Sequence, residues 1–230
     1  MFDPIYFLFV LPGIIFAMVA TFKVKSTFAK YSKIMASSGF TGAEAAHQLL
    51  SRNGVTQVKI ERADGFLSDH YDPTSRTLRL SSDVYDSPSL SAIGVACHEA
   101  GHALQHASAY VWLGLRSSLV PAMPIGSFGS YIFFILGMLF HNPRFYFIGI
   151  ILFSITVVFS LITLPVEWDA SARAKRLMVT AGVVTCREQE DAARVLNAAF
   201  LTYVASAVTA LLTLLYYLFR SGLLGGRRDD

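Results

Sequence analysis

His98-Glu99-Ala100-Gly101-His102 places two imidazoles and a carboxylate within five residues. On a helix, residues four apart share a face. His98 and His102 can then offer nitrogen ligands to one zinc ion at about 2.0–2.1 Å. Glu99 stands beside the ion rather than on it, where it can take a proton from an attacking water and return it to a leaving amine. The five-residue pattern alone is a weak signal, because satisfied surface histidines produce it too. Here the small residues Ala96, Cys97, Ala100, Gly101 and Ala103 surround it, which leaves room for a second helix and a substrate.

A catalytic zinc ion takes a third protein ligand and keeps one position for water. His106 continues the series but lies about 6 Å further along the axis, too far for three histidines of one straight helix to meet at one ion. It is expected to face substrate or to support the site. Position 108, where a metzincin pattern would want a histidine, is Ser108. The second hydrophilic segment supplies Glu167, which shares a helical face with Ala170, Ser171 and Ala174 and so rides on a helix able to approach closely. Asp169 lies about 200° round that helix and faces Arg173 at i+4, where an ion pair is the simpler reading. Glu167 is the expected third ligand, with Asp169 and His106 as alternatives.

A third group of candidates precedes Pro73. On a strand, Ser68, His70 and Asp72 share one face and Asp69 and Tyr71 the other. His70 or Tyr71 is a candidate donor to a developing oxyanion, on an edge strand that extended substrate can join. The competing reading is a turn capped by Asp69 and Asp72.

These residues must be positioned by a chain of unusual composition. Of 230 residues, 53% are hydrophobic and only 15% charged, against about 25% charged in soluble domains. Residues 4–20, 119–140, 145–164 and 200–219 contain no Asp, Glu, Lys or Arg. Such runs approach or reach the roughly 20 apolar residues that cross a bilayer core. The remainder has the charge density of an ordinary soluble domain. A net charge of +3 is too small to imply nucleic acid. Cys97 and Cys186 do not form a disulfide framework. Residues 4–20 read as a retained anchor, because the basic residues follow the run rather than precede it. Pro121 and Pro124 mark the start of the second run as kinked or interfacial.

The second and third runs are joined only by residues 141–144. Two spans therefore separate the hydrophilic pieces 21–118 and 165–199, which places both on one side of the membrane and lets them build one site. Lys23, Lys25, Lys30, Lys33 and further basic residues on that side outnumber Arg144, Arg220, Arg227 and Arg228 on the other. The positive-inside rule makes the expected location of the hydrophilic part cytoplasmic, in a multi-pass protein of the cell (inner) membrane.

Within the hydrophilic pieces, Thr41 and Glu44 match a capping box, and Asn53-Gly54 ends that helix. Segments 55–61, 66–72 and 77–81 read as a three-stranded antiparallel meander separated by turns. Ser87-Pro88-Ser89 opens a helix running to about residue 109. Pro165 opens a helix ending near Gly182, and Thr185 with Glu188 forms a second capping box ahead of the fourth span. The expected fold is an α-helical membrane protein with about four transmembrane helices and a small α+β zincin-like metallopeptidase domain. The expected division is an anchor at 1–22, the zincin-like domain at 23–118, a transmembrane hairpin at 119–164, the third-ligand segment at 165–199, and a last span with its tail at 200–230.

Three motifs in this order, Gly65-Phe66-Leu67-Ser68-Asp69-His70-Tyr71-Asp72-Pro73, the His98–His102 segment with Ala103 and Gln105, and Pro165-Val166-Glu167-Trp168-Asp169-Ala170-Ser171, resemble the YugP-type membrane zinc metallopeptidases of bacteria. The resemblance covers nearly the whole chain. It implies a zinc-dependent membrane endopeptidase with one zinc ion per chain, His98, His102 and Glu167 as ligands, and Glu99 as base. More distantly the chain is similar to HtpX-type membrane gluzincins, which place an Asp four residues after the ligand Glu; Ser171 stands there instead.

Three functions compete. The first is a membrane-embedded zinc endopeptidase acting on proteins or peptides. The second is an intramembrane-cleaving protease of the site-2 kind. Against it, the motif helix carries Gln105 and His106 besides the motif residues, and no Asp-Gly pair follows the histidines. The third is a non-catalytic metal-binding membrane protein, for which charged residues along a membrane pathway would be expected; the four runs hold none.

Overall fold

The structure is a computed structural model that describes residues 4–65 and 68–223. It divides into two compact units, one within 4–19, 115–164 and 202–223, the other within 20–114 and 165–201.

The first unit is helical. Its parts belong to α1 (Pro4–Tyr31), α5 (Val111–Leu119), α6 (Ser130–Phe140), α7 (Pro143–Thr180) and α8 (Cys186–Arg220). Three of these, α1, α7 and α8, are long and apolar enough to cross a membrane; the pair Val111–Ala122 and Ile125–Phe140, bent by 49°, adds a fourth if counted as one broken span. The bend lies at a 3-10 turn (Val120–Ala122) and a π-helical turn (Ile125–Gly129). Pro121 and Pro124 each remove a helix donor there, which is the physical cause of the break. Leu8, Met18 and Phe22 of α1 are largely exposed, a surface that is stable against lipid rather than water.

The second unit carries α2 (Gly42–Arg52), β1 (Lys59–Ala63), β2 (His70–Asp72), β3 (Thr77–Ser81), α3 (Ser82–Tyr85) and α4 (Leu90–Ala107). Helix α2 opens on the expected capping box: Thr41 N–H donates to Glu44 Oε2 (2.9 Å) and Glu44 N–H to Thr41 Oγ1 (3.3 Å). Its end uses Gly54 at φ +74°, a backbone region that glycine enters without strain.

The sheet corrects the expected meander. Strand order is β1-β3-β2, with β1 parallel to β3 and β2 antiparallel to it. Burial explains the order. Leu78 and Leu80 of β3 are fully buried, so β3 takes the centre. Lys59, Glu61 and Arg62 give β1 the charged character of an edge. Phe66 and Leu67, inside the middle predicted segment, lie outside the described residues.

Two helix starts also differ. Pro88 precedes the α4 cap rather than entering its first turn; Ser89 is the cap, and its Oγ accepts from Ala92 N–H at 3.3 Å. Pro165 opens no helix. It lies inside α7, which runs unbroken for 38 residues. One proline removes one backbone bond, and the long flanking turns absorb that loss. Glu167 therefore stands mid-helix. Thr185 and Glu188 do form their capping box, at 2.8 and 3.3 Å, and α8 continues without interruption to Arg220.

Candidate metal centre

Helix α4 supplies the two histidines and α7 the acid. The helices touch where α4 has Gly101 and α7 has Ala170: a Cβ added at Gly101 would stand 2.6 Å from the Ala170 carbonyl oxygen. No side chain fits between these backbones, so the small residues set the distance at which a Glu167 carboxylate reaches the imidazoles.

His98 Nε2 lies 3.1 Å and His102 Nε2 3.6 Å from Glu167 Oε2. One ligand atom from each of the three residues falls within 4.8 Å of the others. Among the described residues this is the group of His, Cys, Asp or Glu arranged to hold a metal ion. Glu167 is 1% exposed. A buried carboxylate is costly without a cationic partner, and two nitrogens plus one oxygen are a donor set that zinc accepts in catalytic sites. The residues fit the ion.

The remaining imidazole nitrogens are also engaged. His98 Nδ1 lies 3.1 Å from Ser171 Oγ. His102 Nδ1 lies 2.9 Å from Gln105 Oε1. Bonds at Nδ1 leave Nε2 of both rings directed at Glu167, the orientation that metal ligation requires. Burial alone would lower the His102 pKa. The Glu167 hydrogen bond and charge, with the Glu99 charge and Gln105, outweigh burial and raise it. The surroundings of His102 therefore favour positive charge.

Glu99 is buried on the same helix, turned from the His98–His102 line by one residue. Asp69 lies close enough for its charge and that of Glu99 to act on each other; burial raises the Asp69 pKa, opposed by hydrogen bonds from Ser81. The Ser81 N–H and hydroxyl donate to Asp69 Oδ1 at 2.8 and 3.1 Å.

The other candidates separate. His106 is not in the metal group. Its Nδ1 lies 2.9 Å from the Tyr71 hydroxyl, and the two side chains line a pocket of about 170 Å³ with Arg76 and Ala103. His70 is exposed, with Nδ1 2.7 Å from the carbonyl oxygen of Ser68. Asp169 does pair with Arg173, whose Nε donates at 2.6 Å. It also accepts from Gln105 Nε2 at 2.9 Å, a contact absent from the i+4 reading. Gln105 and Ser171 are the site residues that sequence reasoning did not assign. Ser171 has a signal in its position four residues after Glu167; Gln105 has its place three residues after His102 and in the second of the three motifs, neither of which assigns it a role.

Comparisons with known proteins point the same way as the geometry. A family model described as "Putative neutral zinc metallopeptidase" matches residues 6–222. The chain is 50% identical over 198 residues to "Putative membrane protease YugP" of Bacillus subtilis (strain 168), covering 86% of this chain and 88% of that one. No solved structure matches.

Proposed function

The chain belongs to the family described as putative neutral zinc metallopeptidase, and from that membership we propose that it is a membrane-embedded zinc endopeptidase. The observation that carries the reading is the convergence of His98, His102 and Glu167 from two helices. Zinc held there by His98, His102 and Glu167 would supply a Lewis acid able to polarise the scissile carbonyl and acidify a water molecule.

The chain's own residues do the rest. Glu99 takes the proton of the attacking water and delivers it to the leaving amine. Tyr71, held by His106, is the candidate donor to the developing oxyanion; His70, tied to Ser68 and exposed, is not. Asp169 and Arg173 act behind the ligands. Substrates are protein or peptide chains that approach from the bilayer surface. The protein crosses the cell (inner) membrane four times, counting the bent pair as one span, and both hydrophilic pieces face the cytoplasm.

The intramembrane-cleaving alternative is disfavoured because α4, which bears both histidines, is not among the helices long and apolar enough to cross a membrane. A non-catalytic metal binder shares the ligand set and is separated by assay. Purified full-length protein should degrade casein, stop when chelator has stripped its metal, and recover with added zinc. Undiminished proteolysis at zero metal content would overturn the reading.

A further inference from the structure

Gln105 is a neutral side chain, fully buried, at the centre of a charged site. Its amide can be placed in one way only. One end faces two acceptors, the Val166 carbonyl at 2.8 Å and Asp169 Oδ2 at 2.9 Å. Neither acceptor can donate as carbonyl or carboxylate, so that end must be the NH2 group. The carbonyl end therefore faces His102 Nδ1 at 2.9 Å. A carbonyl oxygen only accepts, so Nδ1 must carry the hydrogen. In a neutral ring that leaves the lone pair on Nε2, which faces Glu167.

The orientation of the amide is itself fixed from behind. Asp169 Oδ2 accepts from Arg173 Nε as well as from Gln105. Arg173 is held in turn by a hydrogen bond from its Nη1 to Ser108 Oγ (3.2 Å) and by the Tyr110 ring, 5.6 Å from its guanidinium carbon. The series runs from a permanent cation through a carboxylate and an amide to the imidazole. Metal-binding histidines commonly donate directly to a carboxylate; here an amide stands between the two.

We propose that Gln105, oriented by Asp169 and Arg173, is a positioning residue that fixes the hydrogen of His102 on Nδ1 and so presents Nε2 as a ligand. This rests on the zinc-site reading for its purpose, but the position of the hydrogen does not need a metal, so the two can fail separately.

The test uses full-length protein in detergent. With 15N-labelled histidine, no metal and a pH high enough for the ring to be neutral, His102 Nδ1 should resonate as a protonated nitrogen in the wild type and in Gln105→Glu, which keeps the acceptor. It should lose that signature in Gln105→Leu. Zinc affinity, read by chelator competition, should fall about 10–100-fold in Gln105→Leu, the range for outer partners of metal ligands. Asp169→Ala should weaken zinc binding by about tenfold alone. In the Gln105→Glu background it should cost nothing or tighten binding, because it then removes a carboxylate facing a carboxylate. Should Gln105→Leu fail to fold, the other two variants decide. A bare Nδ1 in the wild type, or an Asp169→Ala penalty equal in both backgrounds, would overturn the proposal. The expected wild-type NMR behaviour in a protein that binds no zinc would instead sink the zinc reading and leave the placement of the His102 hydrogen by Gln105 standing.

Discussion

His98 and Glu167 are 69 residues apart in the chain and 3.1 Å apart in space. Two apolar runs lie between them in sequence. Helix α7 holds both a candidate membrane span and the acid that meets the histidine helix.

Glu167→Ala should cut zinc affinity by more than the roughly 10–100-fold expected for outer partners, and proteolysis with it. Metal content after dialysis against a weak chelator measures this. Wild-type occupancy in the variant would remove Glu167 from the ligand set.

Gly101→Ala should separate the two helices without touching any ligand. The new Cβ would meet the Ala170 carbonyl oxygen at 2.6 Å, and overpacking of this kind costs about 1–3 kcal/mol. Zinc affinity and thermal stability should fall together. A variant with unchanged affinity would show that the close approach does not set the metal geometry.

How much of this was legible in the sequence depended on where the determining contacts lie. His98, Glu99 and His102 are local: helical period and residue type suffice. Glu167 is reachable because two apolar runs, read as spans, would return the chain to the side of the histidines, and Ala170, Ser171 and Ala174 flatten its face. Gln105 is not, because its role arises only when the Val166 carbonyl and Asp169 arrive from another helix. The sheet order escaped for a similar reason. Turn residues predict that the chain reverses but not that β3 inserts between β1 and β2, which follows from burial of Leu78 and Leu80. The local rule takes Pro165 as a helix start, whereas the helix already runs upstream of it.

Asp72 carries a pH prediction. The Ser75 hydroxyl and the Thr74 N–H, which donate at 2.6 and 2.9 Å, hold its carboxyl down to about 2. A depressed carboxyl pKa contributes stability above the unfolded value of about 3.9 and loses it as pH falls through the folded value. Asp72→Asn should therefore lower the unfolding temperature at neutral pH, with the difference shrinking between about pH 4 and pH 2. A difference that does not change with pH would mean that the turn does not depend on the carboxylate charge.

Topology is testable with a natural probe, because Cys186 is exposed and Cys97 buried. A membrane-impermeant maleimide applied to intact cells should miss Cys186, and should miss Ser51→Cys in a Cys186→Ser background. Labelling of one position and not the other would break the four-span arrangement; labelling of both would reverse its orientation.

The most direct test of the account is Glu99→Gln, measured for zinc content and casein cleavage on the same purified sample. The substitution leaves His98, His102 and Glu167 in place and removes only the proton carrier, whose contribution is on the order of 10²–10⁴-fold or more. Full zinc occupancy is expected, with proteolysis reduced by at least that factor. Cleavage at the wild-type rate by the zinc-loaded variant would contradict it.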